Sequence, residues 1–85
     1  MTYTVVRRPF AERNMAEIWT NAADRQPVTR AADSIDSLLR TATLDVGESR
    51  GDNIRILTVS SLSVYYDVYE EDCLVAEWAV WRRPE

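Results

Sequence analysis

Ile54–Trp81 reads IRILTVSSLSVYYDVYEEDCLVAEWAVW, and its reading decides the fold. β-Branched and aromatic residues dominate three runs, Ile54–Val59, Leu62–Tyr69 and Leu74–Trp81, which is the composition of strands. Ser60-Ser61 and Glu70-Glu71-Asp72 separate them as tight polar turns. In the second run Leu62, Val64, Tyr66 and Val68 share one face, and Ser63, Tyr65, Asp67 and Tyr69 share the other. In the third, strict alternation sets Leu74, Ala76, Trp78 and Val80 against Val75, Glu77, Ala79 and Trp81. This pattern predicts an antiparallel meander with one face on a core and one partly open. The open face is expected to carry Arg55, Tyr65, Asp67, Tyr69, Glu77 and Trp81, with Arg50 and Arg82 close by in sequence. Aromatics set among arginines suit base stacking or a protein partner. They suit equally well a set of cross-strand pairs that hold the sheet together.

Upstream of the meander, Thr2–Arg7 (TYTVVR) reads as a first strand, with Tyr3 and Val5 on one face. Pro9 stands where a helix can begin, because its missing N–H would have no intrahelical acceptor there. Ala11, Met15, Ile18, Trp19 and Ala22 then follow the spacing of one helical face. After a short polar connection a second helix is expected to open at Pro27, capped by Asp24 or the segment just after it. Val28, Ala31, Ala32, Ile35, Leu38 and Leu39 form its apolar stripe. So short a connection makes the two helices an antiparallel hairpin. Thr43–Asn53 is the longest irregular piece and holds both glycines, Gly47 and Gly51. It reads either as a plain surface connection or as a loop whose Glu48 and Arg50 do chemistry. The expected class is α+β, in the order β-α-α-β-β-β: one domain over 1–85, with an antiparallel sheet and a helical hairpin on one of its faces.

The composition narrows the chemistry. Of 85 residues 46% are hydrophobic and 28% charged, which is ordinary for a globular domain. No apolar run is long enough to span a bilayer, and the first residues lack the apolar core of a signal peptide, so a cytoplasmic protein with no membrane role is expected. The single cysteine, Cys73, excludes an internal disulfide and reads as a small hydrophobe. With no histidine, a Ser-His-Asp triad and a histidine-ligated metal are excluded within the chain. All ten cations are arginine, so lysine general bases and Schiff bases are excluded too. Proton transfer is left to Asp, Glu, Tyr and Cys73. Glu70-Glu71-Asp72 reads as a solvated hairpin tip rather than a magnesium site, and no cofactor is expected. The net charge of −4 runs against non-specific nucleic-acid binding, although Arg7-Arg8 and Arg82-Arg83 are local basic pairs.

The order of elements, with Val64-Tyr65-Tyr66-Asp67-Val68, the acidic turn Glu70-Glu71-Asp72, Leu74-Val75-Ala76 and the basic pair Arg82-Arg83, resembles the RelE/ParE superfamily of bacterial type II toxins. The opening TYTVVRRPFAERNMAEI resembles that family's first strand and helix. The resemblance covers nearly the whole chain, and it rests on order and spacing because each motif alone is degenerate. It implies a growth-inhibiting toxin, of the kind linked to plasmid stabilisation, neutralised by a cognate antitoxin whose tail or helix wraps it. A homodimer or a hetero-oligomer with the antitoxin would be the assembly. RelE-like members cleave mRNA on the ribosome; ParE-like members poison DNA gyrase.

The resemblance also implies where the two branches part. RNA-cleaving members place an arginine at the start of the strand that here begins Leu62-Ser63, so Ser63 holds that position. Some carry a histidine or tyrosine at the end of the last strand, which here is Trp81-Arg82. Several use lysines from the second helix and the loop after it. What matches is Glu48, where some members carry a glutamate base, together with Arg50, Arg55 and Arg82 as phosphate binders. A nuclease would use Glu48, Arg50 and Arg55. The expected reading is a ParE-like or otherwise non-nucleolytic toxin, with Tyr65, Tyr69, Trp81, Arg82 and Arg83 meeting the target or the antitoxin; the alternative is a RelE-like ribosome-dependent mRNA endoribonuclease. The antitoxin tail is expected on the sheet edge or the open face near Tyr65, Tyr69 and Trp81.

Overall fold

The computed structural model describes residues 2–83. Strand β1 (Thr4–Arg7) leads into α1 (Pro9–Asn21) and α2 (Arg25–Thr41). A two-residue strand β2 (Glu48–Ser49) precedes β3 (Ile54–Val59), β4 (Leu62–Tyr69) and β5 (Leu74–Arg82). The sheet order is β1-β5-β4-β3-β2. The meander β3-β4-β5 is antiparallel, as its alternation predicts. β1 joins it as a parallel neighbour of β5, from Thr4 opposite Leu74 to Arg7 opposite Glu77. The sheet is therefore mixed, since a parallel pair needs a crossover and the helical hairpin supplies one.

Pro9 sits in the first turn of α1. Asp24 caps α2, its carboxylate accepting from the Gln26 N–H at 3.1 Å; α2 thus begins at Arg25, ahead of where Pro27 alone would open it. Val28, Ala31, Ile35 and Leu39 are buried along α2, and each large side chain so covered stabilises the fold by about 1.5–3 kcal/mol. On α1 the stripe is narrower than its spacing suggests. Ala11 is buried, and Met15 and Ile18 pack at the core's edge. Trp19 instead stays 44% exposed, with the Arg25 guanidinium 4.2 Å over its ring and Arg25 Nε donating to its carbonyl.

From the sheet, Tyr3, Leu57, Leu62, Val64, Tyr66, Val68, Val75 and Val80 complete the core. Ser60-Ser61 makes the two-residue turn between Val59 and Leu62, with Ser60 at φ +56°. The acidic tip Glu70–Asp72 forms one turn of 3-10 helix, closed by Cys73 in the left-handed region. The connection after α2 folds back through Thr43, whose buried hydroxyl donates to the Leu39 carbonyl. Among the described residues no helix is long and apolar enough to cross a membrane.

Strict alternation fails at one place. β4 and β5 pair Tyr65 with Ala79 but Tyr66 with Glu77, so Trp78 is an extra residue in β5. Such a β-bulge resets the faces of everything beyond it. Glu77 therefore points to the helices and is 1% exposed, a correction to its expected place on the open face. Trp78 moves the other way, from the expected core face to the open one. Past Glu77, β5 has no β1 neighbour, and Asn14 of α1 accepts the Val80 N–H at 3.0 Å. A backbone donor that the missing strand would leave unpaired is thereby satisfied.

Candidate functional site

The face of the sheet away from the helices is built in cross-strand rows. Ile56 and Tyr65 are partners, flanked by Glu48 on β2 and Ala79 on β5. The next row is Thr58, Ser63 and Trp81. In the other direction lie Ile54, Asp67 and Ala76, with Val6 on β1. Tyr65 is the centre. Its ring stacks on Trp78 at 4.9 Å and 14° and tilts against Trp81 at 4.7 Å and 37°. Aromatic contacts at these separations are worth about 0.5–1.5 kcal/mol beyond the area they bury, so three rings form one rigid apolar platform.

Beside the platform an open groove of about 520 Å³ runs between the β2 arm and the end of β5. Glu48, Arg50, Thr58, Ser63, Trp81 and Arg83 line it. Ser63 is 1% exposed and its hydroxyl shares a 2.7 Å hydrogen bond with that of Thr58. Glu48 and Arg50 stand side by side, Arg50 Nη1 donating to Glu48 Oε2 at 3.0 Å. The position that the family resemblance gives to a catalytic arginine is thus held by a buried hydroxyl whose partner is another hydroxyl.

The arm that carries Glu48 and Arg50 is held from below. Arg55 pairs across the ladder with Tyr66 and shares its helix-facing side. Its Nη2 donates to the carbonyls of Val46 and Gly47, each at 3.0 Å. The Tyr66 hydroxyl donates to Val46 O at 3.3 Å, and burial raises the Tyr66 pKa against the opposing effect of Arg55. Gly47 has φ +79°, and a Cβ there would overlap that hydroxyl. Arg55 is therefore a carbonyl anchor on the covered face, which corrects its expected place among the open-face arginines and takes its guanidinium away from Glu48 and Arg50.

Tyr69 occupies the far end of the open face. Arg8 Nη2 donates to the Tyr69 hydroxyl at 3.0 Å and to Asp67 Oδ2 at 3.2 Å, and the Tyr69 hydroxyl donates to the same carboxylate at 3.2 Å. Arg82 pairs with Leu62, so it leaves the sheet on the helix side, while Arg83 bends into the groove after its N–H bonds Ser61 O at 2.6 Å. The structure thus gathers Glu48, Arg50, Trp81 and Arg83 about one groove with Tyr65 beside it. Tyr69 stands apart, and Arg55 and Arg82 lie on the other side. The sequence reading missed Trp78 and Arg8. Trp78 was hidden by the bulge, and Arg8 reaches partners 59 and 61 residues away, which no local pattern signals.

Among the described residues no group of His, Cys, Asp or Glu could hold a metal ion. The arrangement is a two-helix layer on one face of a five-stranded mixed sheet, with the groove and the aromatic platform on the other. The RelBE2 toxin–antitoxin complex of Mycobacterium tuberculosis superposes with TM-score 0.81 at 16% identity, over 98% of this chain and 100% of that one. A chromosomal ParDE system of Pseudomonas aeruginosa gives TM-score 0.70 at 14% identity, covering 98% of each chain. Isolated Escherichia coli RelE gives 0.66 at 16% identity, over 98% of this chain and 86% of that one. No protein-family model matches the sequence, and no curated protein matches it. The fold is that of the RelE and ParE toxins.

Proposed function

We propose that this chain is the toxin of a type II toxin–antitoxin pair, acting in the cytoplasm by binding a cellular protein rather than by cutting RNA. The observation that carries this reading is the groove floor: Ser63 is buried and bonded to Thr58, with Trp81 across the ladder. Cleavage of a phosphodiester builds negative charge on the phosphorus oxygens, and fixed cations or donors aimed at that point supply the largest share of catalysis. Here the groove floor holds a hydroxyl pair and an indole, and the groove's arginines, Arg50 and Arg83, come from the β2 arm and the end of β5. The Tyr65–Trp78–Trp81 platform is the kind of rigid apolar surface on which protein interfaces place their strongest contacts. Tyr65, Tyr69, Trp81 and Arg83 then meet the target or the cognate antitoxin, and Arg82 meets whichever of these reaches round the end of β5. The fold-mates that are toxin–antitoxin complexes support an antitoxin partner, and DNA gyrase is the target that a ParE-like reading names.

One observation favours the second reading, a ribosome-dependent mRNA endoribonuclease. Glu48 and Arg50 are adjacent in the groove, so a carboxylate base and a phosphate-binding cation are available together. Arg55 drops out of that mechanism, being bound to two carbonyls on the covered face.

Induced expression in a bacterial host without an antitoxin tests the proposal. Growth arrest is expected, retained by Glu48→Ala and relieved by Trp81→Ala combined with Tyr65→Ala. Arrest relieved by Glu48→Ala and untouched by the aromatic variants would favour the nuclease instead.

A further inference from the structure

The buried carboxylate of Glu77 takes no part in the site above, and its surroundings are unbalanced. Oε1 accepts from Arg7 Nε at 3.0 Å. Oε2 is buried with no hydrogen-bond partner. The Glu77 side chain adjoins a void of only about 10 Å³, walled mainly by Met15, Ala32, Ile35, Leu62 and Val64, which offers water at most one cramped place. The same Arg7 guanidinium also faces Asp36 of α2 at 3.5 Å. Two carboxylates thus share one cation.

We propose that the Arg7–Glu77–Asp36 cluster is a proton-responsive latch: uptake of one proton by Glu77 neutralises its excess negative charge and tightens the β5 bulge that sets the Tyr65–Trp78–Trp81 platform. The coupling is geometric. Glu77 and Trp78 are consecutive at the bulge, one pointing under α1 and α2 and the other onto the open face. A buried charge left without full compensation is costly, and the regular register would relieve it by turning Glu77 to solvent and Trp78 inward. With Glu77 charged the bulged arrangement is held less firmly; with Glu77 neutral that opposing pull is gone and Arg7 serves Asp36 alone.

The groups facing Glu77 come from every neighbouring element. β1 supplies Arg7, α1 supplies Glu12 and α2 supplies Asp36; Asp36 is itself flanked by Asp33 and Arg40. β4 supplies Tyr66, its ladder partner, whose pKa is raised, so that it stays a neutral phenol. Burial is the main cause that raises the Glu77 carboxyl from 4.5 to about 6; Arg7 opposes it, and the carboxylates of Asp36 and Glu12 add to it.

The test is tryptophan fluorescence and near-ultraviolet circular dichroism of the full chain from pH 5 to 8. A Trp19→Phe background leaves Trp78 and Trp81 to report. The signal should follow a single-proton transition centred at about pH 6. Glu77→Gln should abolish the transition, and Asp36→Asn should move its midpoint down, because one of the negative neighbours opposing ionisation is gone. A signal flat across the range, the same transition persisting in Glu77→Gln, or an unmoved midpoint in Asp36→Asn would overturn the latch. Should Glu77→Gln fail to fold, the half-exposed Asp36 variant decides alone.

Discussion

Trp78 and Trp81 lie on the same face of β5, three residues apart, with the ring of Tyr65 against both. In an unbroken strand an odd separation puts two side chains on opposite faces. The extra residue opposite Tyr65 and Tyr66 removes that constraint. The platform is thus made by a bulge, and it faces away from the core that stabilises the fold.

Removing a platform ring should therefore cost function more than stability. Tyr65→Ala and Trp81→Ala are each expected to lower unfolding free energy by about 1–2 kcal/mol, the lost stacking plus part of a half-buried ring. Chemical denaturation would show a folded variant, while induced growth arrest is lost. A variant that unfolds outright would place the rings in the core instead.

Gly47 should tolerate no side chain. Its φ of +79° and the Tyr66 hydroxyl at the place of its Cβ act together. Gly47→Ala is expected to destabilise by about 1–3 kcal/mol, and adding Tyr66→Phe should restore part of that by removing the overlapping oxygen. Gly51→Ala, with φ +112° and open space around the new methyl, should show only the conformational cost. Urea melts of the three variants separate the two contributions.

Arg55 is an anchor, so its loss should read as instability. Arg55→Ala leaves the Gly47 carbonyl without its side-chain donor and the Val46 carbonyl with the Tyr66 hydroxyl alone, and is expected to cost about 1.5–3 kcal/mol. Thermal melts should show this, with the largest loss of hydrogen-exchange protection in the 46–50 arm. Growth arrest weakened in step with stability fits an anchor. Arrest lost at unchanged stability would return Arg55 to a chemical role.

Stability should rise on mild acidification. For a carboxyl raised from 4.5 to about 6 in the folded chain, the folded state binds the proton more tightly than the unfolded state. Its contribution is fully present below 4.5 and lost as pH rises through 6. At about 1.4 kcal/mol per pH unit the swing is about 2 kcal/mol. Asp36, also raised by burial, adds the same sign at lower pH. Denaturation midpoints at pH 5 and 7.5 should differ in the wild-type chain and converge in Glu77→Gln.

What the sequence reveals and what it hides follow from which forces are local. The meander strands are legible because Leu62, Val64, Tyr66 and Val68 repeat with the pleat and all are buried. Asp24 is legible as a cap because capping is a contact of two residues. The Glu77 and Trp78 inversion is not, since it depends on Arg7, 70 residues away. Nor is Arg55: its strand, IRILTV, is apolar on both faces, so a charge reads as outward until the carbonyls of Val46 and Gly47 are in place. A two-residue strand such as Glu48–Ser49 has no period to detect. Around the groove, residue types were readable, but their gathering depended on that same arm.

The central claim, a toxin that binds rather than cuts, is tested most directly by incubating the purified chain with ribosomes translating a defined mRNA and mapping the 5′ ends by primer extension. Intact mRNA is the predicted result, identical for the wild-type chain and Glu48→Ala at concentrations where the wild-type chain arrests growth. New ends that appear with the wild-type chain only when ribosomes are bound and vanish with Glu48→Ala would contradict it.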